Sequence, residues 1–372
     1  VSNTTIHCAD VVAWAHEYTG DPFHAVLCDP PYHLQSIVER FSSPNAAPAK
    51  PGTDGAFQRA SRGFMGETWD GGDVAFNPQT WEAVLACLHP GAFGLAFSGA
   101  RTYYKLPAAI ETGGGLIHPA LFLWVHAGMP KATRVSTGDA EIDRRFEGHR
   151  YGAGAIKPCV EPIVLFQKPY TERPRSQIAQ TGAGAINIDA GRIPSDDSYA
   201  VNTWDDDAHP FGDGAGNEYT TRQESERWPG NLIIEDVGSA LSFDINSQHG
   251  FTHHGFGVSR FFYTVGGHMD DAIAAVYYSK VQPKERNAGV VGGNPHATLK
   301  PILLAKYLAS LLLPPPEYAP RRILVPFAGT GSEMIGAALA GWEEVVGVEL
   351  LDKNCDIARQ RIKHWLELPL FG

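Results

Sequence analysis

Ile323-Leu324-Val325-Pro326-Phe327-Ala328-Gly329-Thr330-Gly331-Ser332, followed by Val345-Val346-Gly347-Val348-Glu349, is the stretch on which the fold turns. The apolar run from Ile323 to Phe327 reads as a buried strand, Ser332 to Ala340 as a helix, and Val345 to Glu349 as the next strand. Strand, glycine turn, helix and strand in that order make one unit of a doubly wound sheet. They place a backbone-lined turn at the carboxyl end of the first strand. Gly329 and Gly331 allow positive φ and a close approach of a ligand to the main chain. Glu349 closes the second strand, where a carboxylate can accept hydrogen bonds from both hydroxyls of a ribose. A dinucleotide fingerprint needs a third glycine where this chain has Met334, which disfavours NAD and leaves S-adenosylmethionine as the better-fitting cofactor.

Asp29-Pro30-Pro31-Tyr32 also follows a strand directly, Ala25 to Cys28, which the prolines stop because proline cannot continue a ladder. The chemistry of this tetrapeptide suits methylation of an aromatic amine. The lone pair of such an amine is delocalised into its ring. A carboxylate at Asp29 and the carbonyl of Pro30 can accept the two amino protons, so that the nitrogen pyramidalises and aims its lone pair at an electrophile. Tyr32 offers a flat face on which an extruded base can stack. Transfer from a sulfonium releases a neutral thioether and calls for no metal. The bland alternatives are a rigid Pro-Pro turn with a packed tyrosine, and glycines chosen for packing.

Outward from these two motifs the chain reads as strands at Thr4–Ala9, Phe93–Phe97, Ala120–His126 and Pro162–Gln167. Helices are expected at Gln79–Leu88, near 102–111, at Pro301–Leu313 and from Asp352 onward. The helix from Pro301 is apolar on nearly every side, with Lys306 and Ser310 as a thin polar stripe, and should be buried. Residues 42–75, rich in Pro, Ala, Gly and Ser, read as a mobile loop, and 169–260 as a polar, turn-rich inserted module. The organisation expected is an N-terminal part of a catalytic domain (1–168), the insertion (169–260) and a C-terminal part (261–372).

At 372 residues the chain can bury one sizeable core plus a second module. No apolar stretch is long enough for a membrane helix, and Val1 to Asp10 lack the pattern of a signal peptide. Cys8, Cys28, Cys87, Cys159 and Cys355 form no CxxC pair, which argues against a disulfide framework or a cysteine zinc site and for a reducing cytoplasm. The histidines at 249, 253, 254 and 268 lack metal-site spacing, so no metal is expected. The net charge of −11 speaks mildly against nucleic acid as partner, but binding needs only a local patch. Lys131, Arg134, Arg144, Arg145, His149 and Arg150 form the best one, with Arg59 and Arg62 as further candidates.

These residues together carry a resemblance. The chain resembles the β-class DNA amino-methyltransferases, in particular the phage- and prophage-like DNA modification methylases, in which the DPPY motif comes first, the recognition module next and the glycine motif last. Gly63-Phe64-Met65-Gly66 with Trp69-Asp70, Lys157-Pro158 with Glu161-Pro162-Ile163-Val164, and Gly184-Ala185-Ile186-Asn187-Ile188-Asp189 with Arg192-Ile193 are similar to segments of that group. So are Arg227-Trp228-Pro229-Gly230-Asn231, Ser259-Arg260-Phe261-Phe262-Tyr263, Lys284-Glu285-Arg286-Asn287 and His296-Ala297-Thr298-Leu299-Lys300-Pro301.

The resemblance implies a Rossmann-like α/β methyltransferase fold: a mixed, mainly parallel seven-stranded sheet with helices on both faces, in circularly permuted order, plus the inserted recognition module. It implies S-adenosylmethionine as cofactor, double-stranded DNA as partner, a bacterial or phage-encoded cytoplasmic enzyme, and leaves a homodimer open. Asp29, Pro30, Pro31 and Tyr32 would be catalytic. Phe327, Ala328, Gly329, Gly331 and Ser332 would cradle the cofactor and Glu349 its ribose. Asp10 would meet its adenine amine, and Thr298 and Lys300 its methionine carboxylate; a helix N-cap and a solvated lysine are the alternatives for Asp10 and Lys300. The group uses an acidic first residue in the tetrapeptide mainly for adenine N6 rather than cytosine N4. Where it reads Asp-Pro-Phe, this chain has Val325-Pro326-Phe327, which removes a carboxylate and points the methionine amine to Asp29; a catalytically weakened DNA-binding relative is the rival reading.

Overall fold

The computed structural model describes residues 2–32, 73–125, 131–156, 160–194, 198–202, 219–223, 226–227, 231–234, 263–264, 281–296 and 298–367. The loop expected at 42–75 lies outside them except for its end, where Val74–Phe76 forms a 3-10 turn. The histidines at 249, 253, 254 and 268, the 63–70 segment and Arg59 and Arg62 also lie outside.

Among the described residues ten strands form the main sheet: β1 (Asn3–Cys8), β2 (Phe23–Cys28), β3 (Leu88–Phe97), β4 (Leu116–Ile117), β5 (Phe122–Val125), β6 (Val160–Gln167), β7 (Leu232–Ile234), β8 (Tyr263–Thr264), β9 (Arg322–Pro326) and β10 (Glu344–Glu349). Their order is β1-β10-β9-β2-β3-β6-β5-β7-β8, with β4 paired to β6. Within this sheet every described pairing is parallel except those of β6, which runs against β3, β4 and β5. The sheet is thus mixed and mainly parallel, with the late strands β9 and β10 inserted between the early β1 and β2. Seven strands were expected. The extra ones include β7 and β8, short pieces that extend the sheet beyond β5, β7 coming from within the 169–260 segment.

Strands with both faces covered are near-continuous apolar runs, and β2, polar only at His24, is buried at all six positions. Alternate residues serve two core layers. Ala25, Leu27, Ile323 and Val325 pack under helices Ile302–Leu312, Ser332–Ala340 and Asp352–Glu367. Val26, Cys28, Leu324 and Val348 face helices Val11–Glu17, Pro78–Ala86 and Lys105–Thr112. Ser332–Ala340 and Ile302–Leu312 approach so closely that a Cβ on Gly336 would lie 2.5 Å from the Ala305 Cβ and 2.6 Å from the Lys306 nitrogen. The glycine that admits a neighbouring element therefore stands at 336, two residues beyond the position of the dinucleotide fingerprint.

Two expectations need correcting. The helix expected to reach Leu88 ends at Ala86, and Pro90-Gly91 falls inside β3. Pairing with β2 shifts register between Phe23 and Ala25, and this irregularity accommodates the proline and the positive φ of Gly91. Cys8 and Cys355, 347 residues apart, are paired as a disulfide with a Cα separation of 6.2 Å. Spacing could not reveal the pair, because parallel β1 and β10 together with the last helix bring the two residues into contact. Among the described residues no helix is long and apolar enough to cross a membrane.

Candidate active site

The carboxyl ends of β1, β2, β9 and β10 all reach the same edge of the sheet, and a cavity of about 440 Å³ opens there. Asp10, Asp29, Pro30, Pro31, Tyr32, Thr298, Lys300, Phe327, Ala328, Gly329, Ser332 and Glu349 all line it. Tyr32 and Phe327, from opposite ends of the chain, therefore share one cavity because β2 and β9 are neighbours. Of the expected site residues only Gly331 is not in the wall. At φ 84° it starts the following helix, and its Cα faces Ala358.

The glycine turn is built largely from main chain. Phe327 takes φ 58°, a left-handed conformation that costs a non-glycine residue about 1–3 kcal/mol. Gly329 follows at φ 51° with only the His296 Nε2, 3.9 Å away, near the place of an added Cβ. The Glu349 carboxylate is 8% exposed. It accepts hydrogen bonds from the Gly329 nitrogen (2.9 Å), the Leu351 nitrogen (3.1 Å) and Asn354 Nδ2 (3.0 Å). Three of its roughly four lone-pair positions are thereby used, so it can take one more donor without rearrangement. Behind the turn lies Arg361, wholly buried, whose guanidinium donates to the Thr330 carbonyl (2.6 Å) and the Ser332 hydroxyl (3.1 Å). Burial pulls this guanidinium down to about 10, against the opposing pull of Glu285 and Glu333. Sequence reading missed Arg361, which stands three residues after the buried Ala358 on the last helix.

The other side of the cavity is a network of charged side chains. Lys300, 5% exposed, donates to Asp29 Oδ2 (2.6 Å), Glu161 Oε1 (2.8 Å) and the Tyr32 hydroxyl (3.0 Å), and Tyr32 donates to Glu161. An ammonium has three donors, and all three are engaged. Lys300 therefore holds the tetrapeptide in shape and has no donor left for a cofactor carboxylate, the role that the resemblance implied. Glu161 was quoted only as part of a strand motif. Because β6 is antiparallel, its amino end lies at the edge where its neighbours have their carboxyl ends, and Glu161 arrives beside Asp29.

Burial pushes the Asp29 carboxyl above the usual carboxylate range; Lys300 opposes this and Glu161 adds to it. Burial alone would lower Lys300, but Asp29 and Glu161 together hold it above the usual lysine value. Asp29 Oδ1 is buried and has no hydrogen-bond partner. Asp10 serves as N-cap of Val11–Glu17 through Oδ1, which accepts from the Val12 and Ala13 nitrogens, both at 3.0 Å, while also lining the cavity. The basic patch sits on the exposed hairpin 131–134 with 150–154 and the helix between its strands. Arg134, Arg144, Arg145 and Arg150 are exposed there, and Arg145 pairs with Glu141.

No protein-family model and no curated protein matches the chain. Among solved structures, the chain is similar to the M1.HpyAVI–SAM complex at 11% identity and a TM-score of 0.41, covering 96% of this chain and 100% of that one. The TTHA0409–S-adenosyl-L-methionine complex from Thermus thermophilus is similar at 14% identity and 0.42, covering 99% and 96%. PvuII DNA methyltransferase (cytosine-N4-specific) is similar at 11% and 0.42, covering 98% and 94%.

Proposed function

We propose that the chain is an S-adenosylmethionine-dependent DNA methyltransferase that modifies the exocyclic N6 of adenine flipped out of double-stranded DNA. The observation that carries this reading is that Asp29, whose buried Oδ1 has no hydrogen-bond donor, lines the same cavity as the glycine turn. An unsatisfied buried acceptor costs about 1–3 kcal/mol, which a ligand's N–H would recover. The wall also fits the cofactor: an open main-chain turn at Gly329, and a carboxylate at Glu349 with one acceptor position to spare.

S-adenosylmethionine would supply an electrophilic methyl group whose leaving group is a neutral thioether. Asp29 Oδ1 and the Pro30 carbonyl would accept the two amino protons of the base and orient its lone pair. Tyr32, fixed through Glu161 and Lys300, would present its ring to the base. The 169–260 module and the exposed basic hairpin would contact DNA.

The test is to sequence DNA from a methylation-free host expressing the protein, scoring N6-methyladenine and N4-methylcytosine. N6-methyladenine at a defined site is expected, and its absence with Asp29→Ala although that variant keeps its circular dichroism. N4-methylcytosine instead would overturn the choice of base, and methylation retained by Asp29→Ala would overturn the roles assigned.

A further inference from the structure

Asp29, Glu161 and Glu333 gather round one ammonium, Lys300, whose three donors are spent on Asp29, Glu161 and Tyr32. Glu333 belongs to the first turn of Ser332–Ala340, is 5% exposed and lines the cavity. Among the described residues no side chain donates a hydrogen bond to its carboxyl, which contacts its own backbone N–H. It is a buried acid aimed into a cavity with more carboxylates than cations. Val325, by contrast, points wholly into the core beneath the helices and takes no part in the wall.

We infer that Glu333 is the anchor for the ammonium of the bound nucleoside's amino-acid moiety, supplying from the helix the carboxylate that position 325 lacks. This inference rests on the proposed function and replaces Asp29 in that task, since Asp29 Oδ2 is committed to Lys300 and Oδ1 is assigned to the base. An ammonium beside Glu333 gives the acid the partner that Lys300, with all three donors engaged, cannot give.

A proton linkage accompanies this geometry. Burial, and then Asp29, lift the Glu333 carboxyl to about 7, while Lys300 and Arg361 pull the other way. These groups reach it from the end of β2, from the segment before Ile302–Leu312 and from the last helix; Glu285 faces Arg361 in turn. Binding a cation favours the ionised acid, so below about pH 7 binding must expel the proton held by Glu333. Affinity should rise about tenfold per pH unit up to that point and then level off.

The experiment is titration calorimetry of the full chain and Glu333→Gln with S-adenosylhomocysteine, which carries the ammonium, and with 5′-methylthioadenosine, which does not. Near pH 6, in buffers of different ionisation enthalpy, the natural chain should release close to one proton with the first ligand and none with the second. Glu333→Gln should bind the first about 10- to 100-fold more weakly, bind the second unchanged, and release no proton. Unchanged affinity and proton release in Glu333→Gln would overturn the inference. Should that variant fail to fold, the natural chain decides alone: a flat pH profile for S-adenosylhomocysteine refutes the anchor, and a rise below pH 7 absent for 5′-methylthioadenosine supports it. Failure of the natural chain to bind either ligand would sink the proposed function itself, an outcome distinct from loss of discrimination between them.

Discussion

The two sides of the cavity are built on opposite principles. The glycine turn is one continuous segment, 327–332, shaped by backbone dihedrals, with its carboxylate at the end of the very next strand. The tetrapeptide side is assembled from Asp29, Glu161 and Lys300, which meet only because β2, the antiparallel β6 and the segment before Ile302–Leu312 converge. The first side is a local feature that tolerates change elsewhere so long as the helix behind it holds its place. The second is a charge balance, in which removing one member alters the ionisation of the rest.

The sharpest way to break that contrast is Lys300→Met. It would leave two carboxyls, Asp29 and Glu161, without their shared cation. Breaking a buried pair by removing one partner costs about 3–5 kcal/mol, because an uncompensated charge remains. Urea unfolding at pH 8 should show a loss of that size, and Lys300→Met with Glu161→Gln should regain part of it. A single variant as stable as the natural chain would mean that the network is not held by charge.

A smaller effect is expected on the other side from Gly336→Ala, a change outside the cavity. The new methyl would meet the Ala305 Cβ at 2.5 Å and backbone at 2.6 Å. Overpacking of this kind costs about 1–3 kcal/mol, from which alanine's better helix propensity subtracts about 1. Because Ser332–Ala340 would have to move outward, cofactor affinity should fall along with stability. A variant that loses stability but keeps full affinity would show that the turn is set by Gly329 and Gly331 alone.

The same contrast explains what could be read from sequence. Strand, turn, helix and strand at 322–349 are legible because propensity, spacing and glycine chemistry all act over a short run, and the helix Ser332–Ala340 falls where it was expected. The tetrapeptide was legible as chemistry, but its support was not. Glu161 and Lys300 reach Asp29 across 132 and 271 residues, and nothing in the spacing reports that β6 runs antiparallel. Arg361 and Glu333 were missed for a related reason: charged residues within helices read as solvent-facing until packing places them inside. The disulfide and the added strands β7 and β8 likewise depend on long-range pairing.

Asp10 lies where the two principles meet, and offers the finest discrimination. Its Oδ1 already caps Val11–Glu17, so its presence in the cavity wall does not by itself assign it to a ligand. Serine caps about as well as aspartate, but its hydroxyl is shorter and cannot reach as far into the cavity. Asp10→Ser should therefore keep stability within a few tenths of a kcal/mol, whereas Asp10→Ala should lose about 1. If the carboxylate also meets an adenine amine, both variants should bind S-adenosylmethionine about 2- to 10-fold more weakly, the loss of one hydrogen bond. Calorimetry beside thermal unfolding separates the roles: Asp10→Ser with natural affinity makes the residue a cap alone, and weakened binding at unchanged stability puts it in the cofactor's wall.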